Sequence, residues 1–418
     1  MSGFLDDWLP PIPQNWRVKP LFALATERSR PNTGLPESRV LSLSYGKVVE
    51  RDVESNYGLL PETFEGYNIV EPDDIVMRLT DLQNDQRSLR TGQVTERGII
   101  TSAYVTIVPS ADLTPRFAHF LLHGYDLAKV FYRMGGGLRQ SLKYADLKRL
   151  PLLVPPRSEQ TRIANFLDEQ TARIDALIAE KERLVSTIEE YWRSYLYSSM
   201  QSAACLGLEP PHGGWALEPV KRVCASIQTG RTPSGARDDC FTEDGVPWVT
   251  PGDMDDIFVK SSGKSVSYVA LHDGEAVLYP PGSTLLVGIG ATLGTVSNAR
   301  VAVSANQQIN ILVPDPRKID ALFLTFAIKA NQDQVRLSAG AATLPILNQE
   351  RTGRLKIAIP RMEQQIATRS QLLRLKENAN RLLSHVGRHI SILREYRSSL
   401  ISAAVTGQLD IDNFGIGG

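Results

Sequence analysis

The stretch PPRSEQTRIANFLDEQTARIDALIAEKERL fills residues 155–184, and IPRMEQQIATRSQLLRLKENANRLL fills residues 359–383. Each has at its start a proline that stops the preceding segment, continues with Arg-x-Glu-Gln, and runs on into a long helical spacing of apolar side chains. A motif carried twice means that the whole chain must be compared half against half before anything local is read. The halves agree in order. A tryptophan shortly before a proline opens each, as NWRVKPLF around Trp16 and GWALEPVK around Trp215. Strand-like runs follow, DDIVMRL at 73–79 against GSTLLVGI at 282–289, then SAYVTIVP at 102–109 against NQQINILVP at 306–314. A helical segment, a loop of small residues, a short apolar run (PLLVP, KIAIP) and the long helix complete both. Trp16 to Leu150 and Trp215 to Leu355 differ in length by six residues. The pattern predicts a tandem duplication whose globular parts have diverged.

Periodicity specifies the helices further. In the first, Ile163, Leu167, Gln170, Ile174, Leu177, Lys181, Leu184, Ile188, Tyr191 and Tyr195 alternate steps of four and three. In the second, Leu372, Leu375, Ala379, Leu382, Val386, His389, Leu393, Tyr396, Leu400 and Ala403 do so. This is the spacing of a coiled-coil seam. Adding 205 to Leu167, Leu177, Ile188 and Tyr191 gives Leu372, Leu382, Leu393 and Tyr396, the same offset that relates Leu150 to Leu355. One apolar stripe on an otherwise charged helix must be covered, so the two helices are expected to pair. At about 1.5 Å per residue, each is a rod of roughly 60 Å. The linker SAACLGLEPPHGG at 202–214 is a turn and loop rather than a return strand of that length, which favours an antiparallel pair. The expected fold is mixed α+β, with two globular domains separated by two long helices packed as a pseudo-twofold antiparallel coiled coil.

Bulk properties narrow the function. The chain has 418 residues, 46 Lys+Arg against 46 Asp+Glu, and 42% hydrophobic residues, so any nucleic-acid contact must come from local patches. MSGFLDDWLPPIP lacks the basic and apolar regions of a signal peptide, and no run of apolar residues is long enough to span a bilayer; a cytoplasmic protein without membrane contact is expected. Cys205, Cys224 and Cys240 have no metal-site spacing, and an odd number gives no disulfide framework. His119 and His123, like His385 and His389, are four apart, yet no third ligand accompanies either pair. GIGATLG at 288–294 follows a strand but leads into another strand-like run, so it reads as a tight turn and not a dinucleotide fingerprint. No phosphate-binding loop for ATP, adenine-methyltransferase motif or nuclease core occurs. Two related modules at a fixed separation suit double-stranded DNA, whose half-sites recur along a regular axis. A scaffold whose duplicated heads bind proteins is the other reading.

At this level the chain resembles the specificity subunit of type I restriction-modification systems. The resemblance rests on Pro156, Arg157, Glu159 and Gln160 against Pro360, Arg361, Glu363 and Gln364, on the long helix after each, and on the closing EYRSSLISAAVTGQLDI at 395–411. One departure is that the first helix opens EQTRIA and the second EQQIA. The resemblance implies a first target recognition domain at 1–156, a spacer helix at 157–203, a linker at 204–214, a second recognition domain at 215–359, a second spacer helix at 360–405 and a tail at 406–418. It implies a non-catalytic subunit whose domains each read half of a bipartite DNA target. Its helices would set the gap and dock two methyltransferase subunits, with restriction subunits joining them. S-adenosylmethionine, ATP and magnesium would then belong to the partners, with no cofactor in this chain.

Residue chemistry suggests where DNA is met. Arg116, Lys129, Arg133, Arg139, Lys143, Lys148 and Arg149 make a basic run suited either to phosphates or to solvent. In MRLTDLQNDQRSLR, Arg78, Asn84, Gln86, Arg87 and Arg90 are candidate base readers, since arginine forks match guanine and amides match adenine. The counterparts in the second half are Thr229, Arg231, Thr232, Lys260, Lys264, Asn306, Gln307 and Gln308.

Overall fold

Aliphatic and β-branched runs fenced by Pro, Gly and Asp form the strands. DDIVMRL yields Ile75–Met77, GSTLLVGI yields Thr284–Val287, SAYVTIVP yields Val105–Pro109 and NQQINILVP yields Ile309–Pro314. The structure, a computed structural model, describes residues 11–52, 61, 63–85, 89–134, 141–234, 238–259, 261–339 and 345–414. It divides into one unit of 1–182 with 387–418 and another of 183–386.

The first unit holds a four-stranded antiparallel sheet in the order Ala25–Glu27, Val105–Pro109, Ile75–Met77, Thr91–Gln93. The second holds Cys224–Thr229, Ile309–Pro314, Thr284–Val287, Val296–Asn298, also antiparallel. Taken in chain order, both sheets read first, fourth, second, third. In each unit the entering strand also pairs with the leaving one, Arg17–Pro20 with Pro151–Val154 and Ala216–Pro219 with Lys356–Ile359. That pairing returns the chain to its point of entry, and the buried Pro155 or Pro360 ends the strand just before a long helix. Each sheet is backed by a helix, Pro115–Leu127 or Ala321–Ala330. The two repeated tryptophans pack on these helices, Trp16 edge-on to Phe117 at 6.5 Å and Trp215 against Phe323 at 5.9 Å. Divergence lies in the insertions. The first unit adds the hairpin Leu41–Ser44 with Lys47–Glu50 and the pair Asn68–Val70 with Gly98–Ile100. The second adds a separate four-stranded sheet that includes one parallel pairing, Val246–Val249 with Ser304–Ala305.

The long helices are Arg157–Ser199 and Met362–Val405. Glu159 and Glu363 sit in their first turns, where the helix dipole favours negative charge. In the first unit the Arg397 guanidinium bonds Asp175 at 2.9 Å and that of Arg394 bonds Glu182 at 2.8 Å. In the second, Gln371 bonds Tyr195, and the Lys376 ammonium lies 5.6 Å from the Trp192 ring. Within each unit, therefore, the contacts advance along one helix as they recede along the other.

The contact face differs from the expected seam. Ile163, Leu167, Ile174, Leu372, Val386 and Leu400 are buried, and Ile188, Leu375 and Leu393 are half-buried. Leu177, Leu184, Tyr191, Leu382 and Tyr396 are instead exposed, as is His389. The residue after each is more covered: Ile178, Val185, Trp192, Leu383, Ile390 and Arg397. The steps run four-then-three from Leu167 and from Leu372, where three-then-four was expected. One residue is a rotation of about 100°, and doublets such as Leu177-Ile178, Leu184-Val185 and Leu382-Leu383 offer an apolar side chain for either choice.

The first helix also stops at Ser199, short of the expected 203. Gln201 takes a left-handed φ of 50°, and the short helix Ser202–Cys205 follows. The Gln201 carboxamide then closes the linker by exchanging hydrogen bonds with the His212 backbone at 2.9 and 3.1 Å. Among the described residues no helix is long and apolar enough to cross a membrane.

Candidate nucleic-acid interface

Arg90 is not a base reader. It is fully buried, and its guanidinium donates to the carbonyl oxygens of Arg78 (3.2 Å), Thr80 (2.7 Å), Asp81 (3.4 Å) and Asp85. Its Nε donates to the Tyr132 hydroxyl at 3.0 Å, the Asp85 carboxylate lies 3.8 Å away, and its own amide donates to Asp126 Oδ2 at 2.7 Å. A planar fork with five donors suits a set of inward-facing carbonyls. Arg90 thus folds the segment 78–85 around itself; Leu79 and Leu82 are buried with it, and Asp81, Gln83 and Asn84 are left exposed. Asn84 is exposed and donates to Asp81 at 2.7 Å, while half-buried Arg78 reaches to 3.9 Å from Asp85. Gln86, Arg87 and Arg139 lie outside the described residues. Arg133 and Lys143 are exposed. In the same basic run, Arg116 bonds Asn165 at 3.0 Å and pairs with Asp168, and the Lys129 ammonium sits 4.5 Å over the Tyr132 ring. These two serve local structure.

In the second unit the structure gathers most of the candidates at one end of the sheet. Arg231 N donates to Ala305 O at 2.8 Å and Gly230 N to Ile309 O at 2.9 Å, which draws the loop after Cys224–Thr229 onto the turn at 306–308. Gly230 is required there: a Cβ would stand 2.2 Å from Asn306 O. Thr232 donates to Gln307, and Asn306 and Gln308 exchange hydrogen bonds at 3.0 and 3.1 Å. Arg231, Thr232 and Gln307 are exposed, Gln308 is half-buried and Asn306 is buried. Thr229 faces inward, donating to Asn310 at 2.9 Å, and is ill placed to read a base. The turn at 288–294 adjoins this group, since Gly288 N donates to Gln308 O at 2.7 Å. Lys264 is exposed, 5.3 Å over the Phe241 ring and outside these contacts; Lys260 lies outside the described residues.

The helix entrances correct the motif alignment. Gln160 Oε1 accepts from Thr114 N at 2.8 Å, and its Nε2 donates to Asp112 O at 2.9 Å and Pro155 O at 3.0 Å. The side chain that makes the same three bonds in the second unit is Gln365, not Gln364. It accepts from Asp320 N at 2.9 Å and donates to Lys318 O at 3.3 Å and Pro360 O at 3.0 Å. Gln160 and Gln365 are 205 apart, as are Pro155 and Pro360. The Glu-Gln pairs align by letter, but the offset of the helices selects the glutamine one residue on.

His119 and His123 stack at 5.9 Å on the helix Pro115–Leu127, and His123 Nδ1 lies 3.4 Å from Thr91 Oγ1. Burial pushes His119 down to about 4 and His123 to about 3, with Arg397 repelling both protonated forms and His119 adding to the effect on His123. Among the described residues no three His, Cys, Asp or Glu are grouped to hold a metal. Unfolded histidine takes its proton near pH 6.5, so the pair's stability is complete above that pH and is lost as pH falls towards 4. Asp126, raised by burial to about 6, works in the opposite sense as it protonates, but one carboxyl offsets only part of two imidazoles. Between pH 7 and pH 5 the first unit should lose about 2–3 kcal/mol, roughly 4–12 °C in melting midpoint. His123→Gln should remove most of that fall, about 2 kcal/mol, because the Asp126 offset then opposes a single imidazole; equal slopes for the two proteins in a pH series of thermal melts would refute the assignment.

Residues 213–381 match the family model of the type I restriction modification DNA specificity domain. The type I restriction enzyme HindI specificity subunit of Haemophilus influenzae is 29% identical over 155 residues, which are 36% of this chain and 33% of that protein. The match thus spans about a third of that relative's length. A solved chain described under complex assembly and conformational transition of the type I R-M system superposes with a TM-score of 0.75 at 15% identity, covering 96% of this chain and 100% of that one. The HsdS subunit from Thermoanaerobacter tengcongensis gives 0.51 at 15% identity, covering 96% and 99%. At that identity both likenesses speak for the fold.

Proposed function

We propose that this chain, which carries a type I restriction modification DNA specificity domain at 213–381, is the non-catalytic DNA-recognition subunit of a type I restriction-modification complex. The observation that carries the reading is that the unit holding the matched domain and the other unit repeat one strand order and one glutamine contact at the helix entrance. Each globular part then reads one half of a bipartite target. The long helices set the gap between half-sites. The gathered Arg231, Thr232, Gln307 and Gln308 supply polar groups for base edges in the second half. In the first half, the segment that Arg90 folds offers Arg78 and Asn84. Exposed apolar residues on the helices, among them Leu184, Tyr191 and Leu382, favour a partner surface, and methyltransferase subunits are the partner proposed. Restriction subunits complete the complex, whose S-adenosylmethionine, ATP and magnesium reside on the partners.

The test is to co-express the chain with its methyltransferase and map methylated adenines across a genome. One gapped sequence is expected, and replacing residues 212–355 with those of a relative should change one half of it and leave the other intact. Scattered or absent methylation, or a change in both halves, would sink the reading.

A further inference from the structure

We propose that Gln160 and Gln365 are positioning residues that fix the angle at which each recognition module is carried on its long helix, and thereby the gap length that the chain accepts between half-sites. The proposal rests on the DNA-recognition reading above and adds to it a residue-level device for the gap.

Both side chains are buried, and each fills the same three-way contact. The carboxamide oxygen takes the amide at the head of the module's helix, Thr114 or Asp320. Its nitrogen serves two carbonyls, one in the loop leading to that helix, Asp112 or Lys318, and one at the proline where the strand ends, Pro155 or Pro360. One side chain on the first turn of the long helix therefore ties down two separate segments of the module. Nearby, Ile163, Ala164 and Leu167 add apolar attachment in the first unit, where Trp16 also donates to Glu159 at 2.9 Å and Arg116 bonds Asn165 at 3.0 Å. In the second unit Arg369 bonds Asp320 at 2.9 Å, whereas the glutamine contact is repeated in both units. Apolar contact has no preferred direction, and hydrogen bonds do; the one-residue latitude of the helix doublets shows how little an apolar stripe specifies on its own.

Further along, each module stands off its helix. A cleft of about 480 Å³ in the first unit is lined on the helix side by Asp168, Thr171, Ala172 and Asp175. In the second unit a cleft of about 510 Å³ is lined by Leu373, Lys376, Glu377 and Asn380. Each of these four positions is 205 beyond its counterpart, although the side chains differ in every case. The two units thus share one mounting, bonded by the buried glutamine at the first turn and clefted two to four turns later, where Arg116 pairs with Asp168 in the first unit and Lys376 lies 3.8 Å from Asp256 in the second. Rotation about the glutamine would widen or close the cleft, and the three hydrogen bonds resist it from within the core, with the more exposed Arg116–Asp168 pair in the first unit and Arg369–Asp320 in the second adding to them. A base pair advances about 3.4 Å along the duplex, so rocking of a few ångströms at a module's reading edge is enough to admit a gap one base pair longer or shorter.

Gln160→Met and Gln365→Met keep side-chain length and remove every bond. Each variant is assembled with the methyltransferase subunits and given duplexes that hold both half-sequences constant and vary the gap by one and two base pairs either way. In the unaltered protein one gap is preferred. Each variant is expected to keep both half-sequences while its preference for that gap over the neighbouring lengths falls at least about tenfold. An unchanged preference in a folded variant, even one with a lower melting midpoint, overturns the proposal. Thr114→Pro is a second route: it deletes the amide that Gln160 accepts, at a φ of −68° that proline already favours, and should relax the gap in the same way. Loss of the fold in all three variants also counts against it, because the glutamines would then be structural only. A parent complex that methylates no gapped sequence overturns the DNA-recognition reading itself, a result distinct from a retained gap preference in the variants.

Discussion

Arg90→Met lowers the melting midpoint of the unit formed by 1–182 and 387–418 by about 6–20 °C and, on the proposed DNA-recognition function, abolishes selective reading of one half-site. Four carbonyl oxygens, the Tyr132 hydroxyl and the Asp85 carboxylate face the guanidinium. Removing one partner of a buried charged network costs about 3–5 kcal/mol, because the groups left behind lose both their partner and water. For a unit of this size, each kcal/mol moves the midpoint by about 2–4 °C. Arg90→Lys should rescue little, since one ammonium cannot span carbonyls that a planar fork reaches together. Asn84→Ala, in the same segment but exposed, should melt within about 2 °C of the parent. Calorimetry with a methylation assay checks the set. Parent-like melting of Arg90→Met would show that the guanidinium is dispensable and return Arg90 to the candidate readers.

Arg90 also shows where sequence stops being informative. In MRLTDLQNDQRSLR it is one more basic residue in a polar run, and no local pattern reveals that the run's own carbonyls turn inward to meet it. Strands were legible because alternation and flanking turn residues are local signals. The repeat was legible because two distant stretches could be compared without knowing either fold. The offset of 205 extends beyond the seam: applied to Gln160 it yields Gln365, whereas matching Glu-Gln by letter yields Gln364. Contacts such as Thr232 with Gln307 lie 75 residues apart, between a loop and a turn, where neither propensity nor periodicity reaches. The residues proposed for recognition meet through such contacts, so the architecture could be read far better than the interface.

The seam offers the cleanest discrimination, because the two alternatives fall on adjacent aromatic residues. Trp192→Ala should lower the melting midpoint by about 6–20 °C, while Tyr191→Ala should leave it within about 2 °C. Trp192 is 8% exposed, packs edge-on to Phe326 at 6.2 Å and belongs to the second unit's core with Leu196, Phe323 and Leu372. Truncating such a residue removes its transfer energy and leaves a cavity, together about 3–5 kcal/mol. Tyr191 is 60% exposed, and its ring meets that of Tyr195 at 6.2 Å. An exposed side chain has little burial energy to lose. Equal effects, or the reverse order, would restore the three-then-four seam and with it Leu184 as a buried residue. In the four-then-three arrangement Leu184 and Tyr191, seven residues apart, share an outward face. On the proposed docking of methyltransferase subunits to this face, Tyr191→Ala is then expected to weaken their capture at least about tenfold while the fold is untouched, and Trp192→Ala to weaken it only as far as the unit unfolds. Binding measured well below both midpoints separates the two: the residue that holds the helices together and the residue that faces the partner would be neighbours in the chain, one rotation of about 100° apart.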